Sequence, residues 1–155
     1  MNKKTKQDSK AFIISNPSHK NMDGAVQLLR ITIKDQETKI DFGYQAGEYQ
    51  EGGWIHIKPE TFIRCKKKAE SMSESFYTKK VEANYFLIKA TNIPFGPEKH
   101  HFSSSIEWRY FSLYFPRLPE GTLSFDLIEK EFGDKDEFNF YNIRLDEEEK
   151  ISMIY

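Results

Sequence analysis

A single cysteine, Cys65, stands in a chain of 155 residues, so no disulfide can close within one molecule and thiolates alone cannot build a zinc site. Long apolar runs are missing as well. After the basic start MNKKTKQDSK, only Phe12, Ile13 and Ile14 follow Ala11 in succession, too short a stretch for the apolar region of an export signal. As written, the chain is expected to stay in the cytoplasm, without membrane insertion. With Asn2 in place of glycine and no prenylation cysteine among the last residues, no lipid anchor is expected. Charge of one sign is also lacking: 23 Lys and Arg nearly cancel 24 Asp and Glu, so no global field draws the protein towards nucleic acid or an anionic membrane. No stretch of ten residues keeps a helical period, no strand alternates with a helix, and no repeat of fixed length recurs. These absences argue against a nucleotide-binding α/β fold, a propeller and a solenoid.

Aromatic side chains are what the chain has in quantity. Thirteen Phe and eight Tyr suit half-buried pleated surfaces better than helices. A content of 38% hydrophobic and 30% charged residues is that of an ordinary globular protein, and the length fits one domain with its own core. Lys3, Lys4, Lys6 and Lys10 mark a solvated start. With the turn-rich stretch that follows, residues 1–20 are expected to form a basic tail and residues 21–155 a single domain.

Period-two patterning then places the strands. In VQLLRITI the alternation changes phase between Leu28 and Leu29, the mark of a bulge or of a strand buried on both faces. TKIDFGYQA alternates cleanly, with Ile40, Phe42 and Tyr44 on one face. WIHIK sets Ile55 and Ile57 against Trp54 and His56, and Pro59 interrupts pairing before TFIRC. KKKAESMSESFYTKK reads as a polar loop or short helix. ANYFLIKATNI reads as one central strand, and PFGPEKHHF as a break. IEWRYFSLYF is the strongest strand, with Phe111, Leu113 and Phe115 facing away from Trp108, Tyr110 and Tyr114. The turn LPEG is expected to join it in a hairpin to TLSFDLIEK, and FNFYNIRL forms the last good strand. The expected fold is an all-β, immunoglobulin-like antiparallel β-sandwich of seven to nine strands.

The segments KIDFGYQA, GGWIHIKPETFIR, YFLIKATNIPFGPEKHHF, FSLYFPRLPEGTLSFDLIE and FNFYNIRL, spread from Leu28 to Leu145, resemble poorly characterised bacterial immunoglobulin-like sandwich modules. The resemblance implies that these segments are the framework of the fold, and it carries over no catalytic residue. It also implies export, from which this chain departs by lacking an export signal.

Residues able to do chemistry are scattered. His100 and His101 are neighbours that would point to opposite faces on a strand and on a loop could share a metal only with distant partners, and no spacing joins them to His19, His56 or Cys65, so no metal site and no cofactor are expected. Cys65, beside Lys66, Lys67 and Lys68, ends an apolar strand and reads as a buried core thiol rather than a nucleophile. Asp126 and Glu129 are poorly spaced for an acid and base pair, and their plainer role is edge solvation or a backbone hydrogen bond. The basic run Arg64, Lys66, Lys67 and Lys68, with Lys79 and Lys80, is interleaved with Glu70, Glu74 and Glu82, and reads as a solvated surface.

Trp54, Trp108, Tyr110 and Tyr114 remain, each on the face opposite the expected core. An apolar ring with a polar handle suits recognition. The expected function is therefore a non-enzymatic binding module that presents an aromatic face, or its end loops, to a protein partner or to another copy of itself. The alternative is a carbohydrate-binding module that stacks sugar rings on exposed Trp or Tyr.

Overall fold

Alternating burial along the chain organises it into strands. The computed structural model describes residues 11–21, 26–45, 54–68, 78–104, 106–131, 138–145 and 151–153. Their strands in chain order are β1 (Ala11–Ser15), β2 (Lys20–Asn21), β3 (Val26–Lys34), β4 (Glu37–Gln45), β5 (Trp54–Ile55), β6 (Phe62–Lys68), β7 (Thr78–Phe86), β8 (Lys89–Thr91), β9 (His100–His101), β10 (Trp108–Pro116), β11 (Thr122–Ile128), β12 (Phe140–Arg144) and β13 (Ile151–Met153). No helix occurs among the described residues. The first sheet has the order β13-β1-β3-β4-β10-β8, the second β2-β12-β11-β6-β7, and β5 pairs with β9 in a short ribbon. Every strand pairing in them is antiparallel. Both large sheets are open, so neither is a closed barrel.

Eight of the thirteen strands are five residues or longer. The thirteen exceed the expected seven to nine: VQLLRITI, TKIDFGYQA, TFIRC, IEWRYFSLYF, TLSFDLIEK and FNFYNIRL correspond to β3, β4, β6, β10, β11 and β12, whereas strands of two or three residues carry too little periodicity to be read from sequence.

The inner faces share one core. Ile31, Ile40, Phe42, Phe111, Leu113 and Phe115 from the first sheet are buried with Ile63, Cys65, Phe125, Leu127, Phe140 and Ile143 from the second. Phe42 of β4 lies 5.2 Å from Phe111 on β10 and 5.4 Å from Phe140 on β12, so ring contacts cross between the sheets. Burying one such side chain stabilises the fold by about 1.5–3 kcal/mol.

The phase change at Leu28 and Leu29 is a β-bulge. Register against β4 shifts between Leu28, which faces Phe42, and Arg30, which faces Asp41. The extra residue returns Ile31 to the core and turns Arg30 outward. Asn16 closes the irregularity by donating its N–H to the Leu29 carbonyl at 2.8 Å.

Four expectations are corrected. Residues 11–20, assigned to the tail, include β1, whose Ala11 and Ile14 are buried; three apolar residues are few for an export signal but enough for a strand. Residues 1–10 lie outside the described residues. ANYFLIKATNI is not one central strand: the Leu87 N–H donates to the Thr61 carbonyl beside the second sheet, and the Ile88 N–H to Tyr114 in the first. The chain thus changes sheets within two residues, and β7 and β8 are both edge strands. β10 and β11 form no hairpin, because the turn between them carries the chain from the first sheet to the second; Gly121, at φ 87°, occupies the left-handed position that this turn needs. Finally, the lysines 66–68 and 79–80 belong to β6 and β7, which pair with each other, while residues 69–77 lie outside the described residues.

Candidate functional site

The outer face of the first sheet is built by the register of its strands. In an antiparallel ladder, residues directly opposite each other share a face. Trp108, Tyr110, Ser112 and Tyr114 of β10 stand opposite Gln45, Gly43, Asp41 and Lys39 of β4. On the far side, Ser112 and Tyr114 face Thr91 and Lys89 of β8. The bulge brings Arg30 of β3 opposite Asp41.

Two aromatic groups and a polar gap result. Trp108 and Tyr110 are 38% and 57% exposed, and their rings stack with centroids 5.7 Å apart and planes 6° from parallel. Tyr114, half-buried, has the Lys89 and Lys39 ammonium groups 4.7 and 5.9 Å from its ring centre. Between them the short Ser112 leaves a trough of about 420 Å³, lined by Leu29, Arg30, Asp41, Thr91, Asn92, Tyr110 and Ser112 together with parts of Phe42 and Phe111.

The trough floor is pinned by Asp41. Its Oδ1 accepts from the Ser112 hydroxyl at 2.6 Å, and its Oδ2 from Arg30 Nε at 3.0 Å. Lys39 Nζ lies 3.7 Å away. Asn92 sits at φ 68°, a left-handed position that asparagine tolerates, and its Nδ2 donates to the Tyr110 carbonyl at 2.8 Å. Arg109 Nε donates to the Asn92 carbonyl, also at 2.8 Å, fixing this end of the trough.

Trp54, although 45% exposed, belongs to a different place. It lies on the β5–β9 ribbon opposite His101, with His56 at 5.0 Å and Lys99 Nζ 4.2 Å from its ring centre. The four sequence candidates thus divide into Trp108, Tyr110 and Tyr114 on one sheet face and Trp54 on the ribbon.

Several of the remaining candidates have structural partners, while the buried His56 Nδ1 meets no hydrogen-bond partner among the described residues. His100 Nε2 lies 3.0 Å from Glu107 Oε2, and His19 Nδ1 2.9 Å from the Pro17 carbonyl. The Ser103 N–H, and then His100, hold the Glu107 carboxyl below its ordinary pKa. No group of three or more His, Cys, Asp or Glu gathers among the described residues. Cys65 is buried in the core, and neighbouring Lys66 reaches instead to Asn142 at 2.7 Å and Asp126 at 3.2 Å. Arg64 is paired with Glu131 at 2.7 Å. Asp126 and Glu129 are both buried, which excludes the edge-solvation role; both accept backbone N–H groups, from Asn142 for Asp126 and from Lys58 and Phe138 for Glu129.

Arg30, Asp41, Gly43, Asn92 and Ser112 were missed by sequence reasoning. The phase slip at Leu29 and a glycine inside a clean strand were the available signals.

No protein-family model, curated protein or solved structure matches the chain. Among the described residues no helix is long and apolar enough to cross a membrane.

Proposed function

We propose that the chain is a non-enzymatic binding module on an immunoglobulin-like β-sandwich, and that the outer face of its first sheet binds carbohydrate. Strand order supports the sandwich reading. With β3, β4, β6, β7, β8, β10, β11 and β12 lettered A, B, C, C′, D, E, F and G, the sheets contain A-B-E-D and G-F-C-C′, the immunoglobulin arrangement with C′ added, extended by β1 and β13 beyond A and by β2 beyond G. Contacts such as Phe42 with Phe140 tie the sheets, in place of a disulfide. The kinship to bacterial modules of this kind rests on the five segments quoted above. A binding role is favoured over catalysis because Asp126, Glu129 and Glu107 are engaged by backbone N–H groups or cations.

The trough beside Tyr110 carries the carbohydrate reading. An exposed ring next to short hydroxyl, carboxylate and amide side chains offers an apolar wall and a hydrogen-bonding floor, and its volume lies within the roughly 300–1,000 Å³ usual for ligand sites. Trp108 stacks on the wall residue and supplies the readout. In a tryptophan fluorescence titration with neutral and acidic oligosaccharides, at least one should shift the emission, and Tyr110→Ala should abolish the shift. A panel in which no sugar changes the signal removes this reading.

A protein partner is the second reading, favoured by apolar side chains outside the trough: Phe86, Ile88 and Ile106 are 53%, 58% and 76% exposed. Light scattering on the wild type and on Ile88→Ser tests the self-association form of it, which requires a dimer that the substitution dissociates.

A further inference from the structure

We propose that the trough selects a sugar bearing a carboxylate, and that Arg30 reads that carboxylate. This inference rests on the carbohydrate reading above. Arg30 Nε is held on Asp41 Oδ2 at 3.0 Å, which fixes the guanidinium plane. Its terminal nitrogens, Nη1 and Nη2, make no hydrogen bond to any described residue. The side chain is 51% exposed, against 14% for Asp41. An arginine anchored through Nε, with its outer edge unused, is pre-organised for a planar anion, because two parallel N–H groups match the two oxygens of a carboxylate.

The surrounding charge has the same sign. Arg30, Lys39 and Lys89 stand on this part of the face with one carboxylate, Asp41, among them. At the other end, Asn92 uses Nδ2 on the Tyr110 carbonyl and leaves Oδ1 to accept a sugar hydroxyl. Tyr110 supplies the apolar wall.

Chemistry favours a sugar over an acidic peptide. An extended peptide gains much of its affinity from main-chain hydrogen bonds to a sheet edge. The floor of this trough lies on the face of β3, β4 and β10, inside the sheet, where the backbone groups point to neighbouring strands and side chains are what is offered; it reaches the edge strand β8 only at its rim. A uronic-acid ring can use such side chains: its carboxylate on Arg30, a hydroxyl on Asn92 and its apolar face on Tyr110.

Calorimetric titration of the full chain decides the matter, using tetrasaccharides of galacturonate, glucuronate and mannuronate, each beside its uncharged parent hexose, and a tetraglutamate peptide. Wild type should bind at least one uronate about tenfold more tightly than its neutral parent. Arg30→Gln should erase that ratio, and Tyr110→Ala should weaken the binding of acidic and neutral sugars alike; circular dichroism establishes that each variant is folded. Equal binding of acidic and neutral sugars overturns carboxylate selection and leaves the carbohydrate reading intact. Retention of the ratio in Arg30→Gln overturns the role of Arg30. Tetraglutamate binding without uronate binding overturns the proposal in favour of an acidic peptide, and a panel in which no sugar binds overturns both the proposal and the reading beneath it.

Discussion

The ring of Tyr110 lies over Gly43, the residue opposite it on β4, so closely that a Cβ at position 43 would stand 3.1 Å from Tyr110 Cε1 and 3.4 Å from Leu29 Cδ1. A glycine inside a strand ordinarily weakens it, having no side chain to pack. Here the gap is filled from across the ladder by an aromatic ring, as in the aromatic rescue of strand glycines. Gly43 thereby seats the wall of the trough.

Gly43→Val should unseat that ring. The added methyl groups meet Tyr110 and Leu29 together, and overpacking of this kind costs about 1–3 kcal/mol. The expected result is a thermal midpoint lowered by several degrees, a changed near-ultraviolet circular dichroism signal because Trp108 loses its stacking partner, and weaker sugar binding. A near-ultraviolet spectrum identical to the wild type would show that Gly43 does not position the ring.

Phe42→Ala probes the link between the sheets. Phe42 is fully buried and meets Phe111, Phe138 and Phe140, so its truncation should cost about 3–5 kcal/mol in urea unfolding. Ile106→Ser, at a residue 76% exposed, should change stability by no more than about 0.5 kcal/mol. Similar midpoints for the two variants would contradict a core centred on the phenylalanines.

These residues also show what was legible in the sequence. Phe42 could be placed inside because Ile40, Phe42 and Tyr44 alternate without a break, and Trp108 and Tyr110 could be placed outside because Phe111, Leu113 and Phe115 claim the core. Pairing partners were not legible. LPEG looks the same whether it closes a hairpin or carries the chain to the other sheet, and the sheet change at Leu87 and Ile88 lies inside an unbroken apolar run whose period cannot reveal it. The trough was hidden for a similar reason: Arg30, Asp41, Ser112 and Asn92 come from four strands or strand ends, and only the register assembles them. Trp54 looked equivalent to Trp108 because exposure is a local property and neighbourhood is not.

Cys65 should be inert in the native protein. Its side chain is inaccessible, so the thiol lacks the access to reagents that reactivity requires. Labelling with an aromatic disulfide reagent should proceed at the rate of unfolding and become immediate in urea. Rapid stoichiometric labelling of folded protein would contradict the burial of this strand.

Glu107 should respond to acid at one end of the fold. Its carboxyl accepts from the Ser103 N–H at 2.8 Å and lies 3.0 Å from His100 Nε2, contacts that lower its pKa. A carboxyl whose folded pKa is depressed contributes stability above its unfolded pKa, and that contribution is lost as pH falls through the folded value. The Ser103 amide resonance should therefore shift with a midpoint below the ordinary glutamate range, and Glu107→Gln should abolish that titration. A midpoint at or above the ordinary range would mean that the charged form is not favoured in the folded state.

Glu129→Gln should separate two parts of the chain without making a cavity. The carboxylate accepts from the Phe138 N–H through Oε1 at 2.6 Å and from the Lys58 N–H through Oε2 at 3.0 Å, joining the turn after Ile57 to the entry of β12. Asn139 Oδ1 in turn accepts from the Glu129 N–H at 2.8 Å, holding the acid in place. Glutamine has the same shape but a single acceptor oxygen, so its NH₂ group must face one of the two backbone donors and forfeit that hydrogen bond, at a cost of about 1–3 kcal/mol. Urea unfolding should register the loss, and hydrogen exchange should find one of the two amides, Lys58 or Phe138, less protected while the other keeps its protection. Glu120→Gln, at an exposed position, should alter neither measurement. Unchanged stability with both amides still protected would show that the carboxylate is not what joins the two segments.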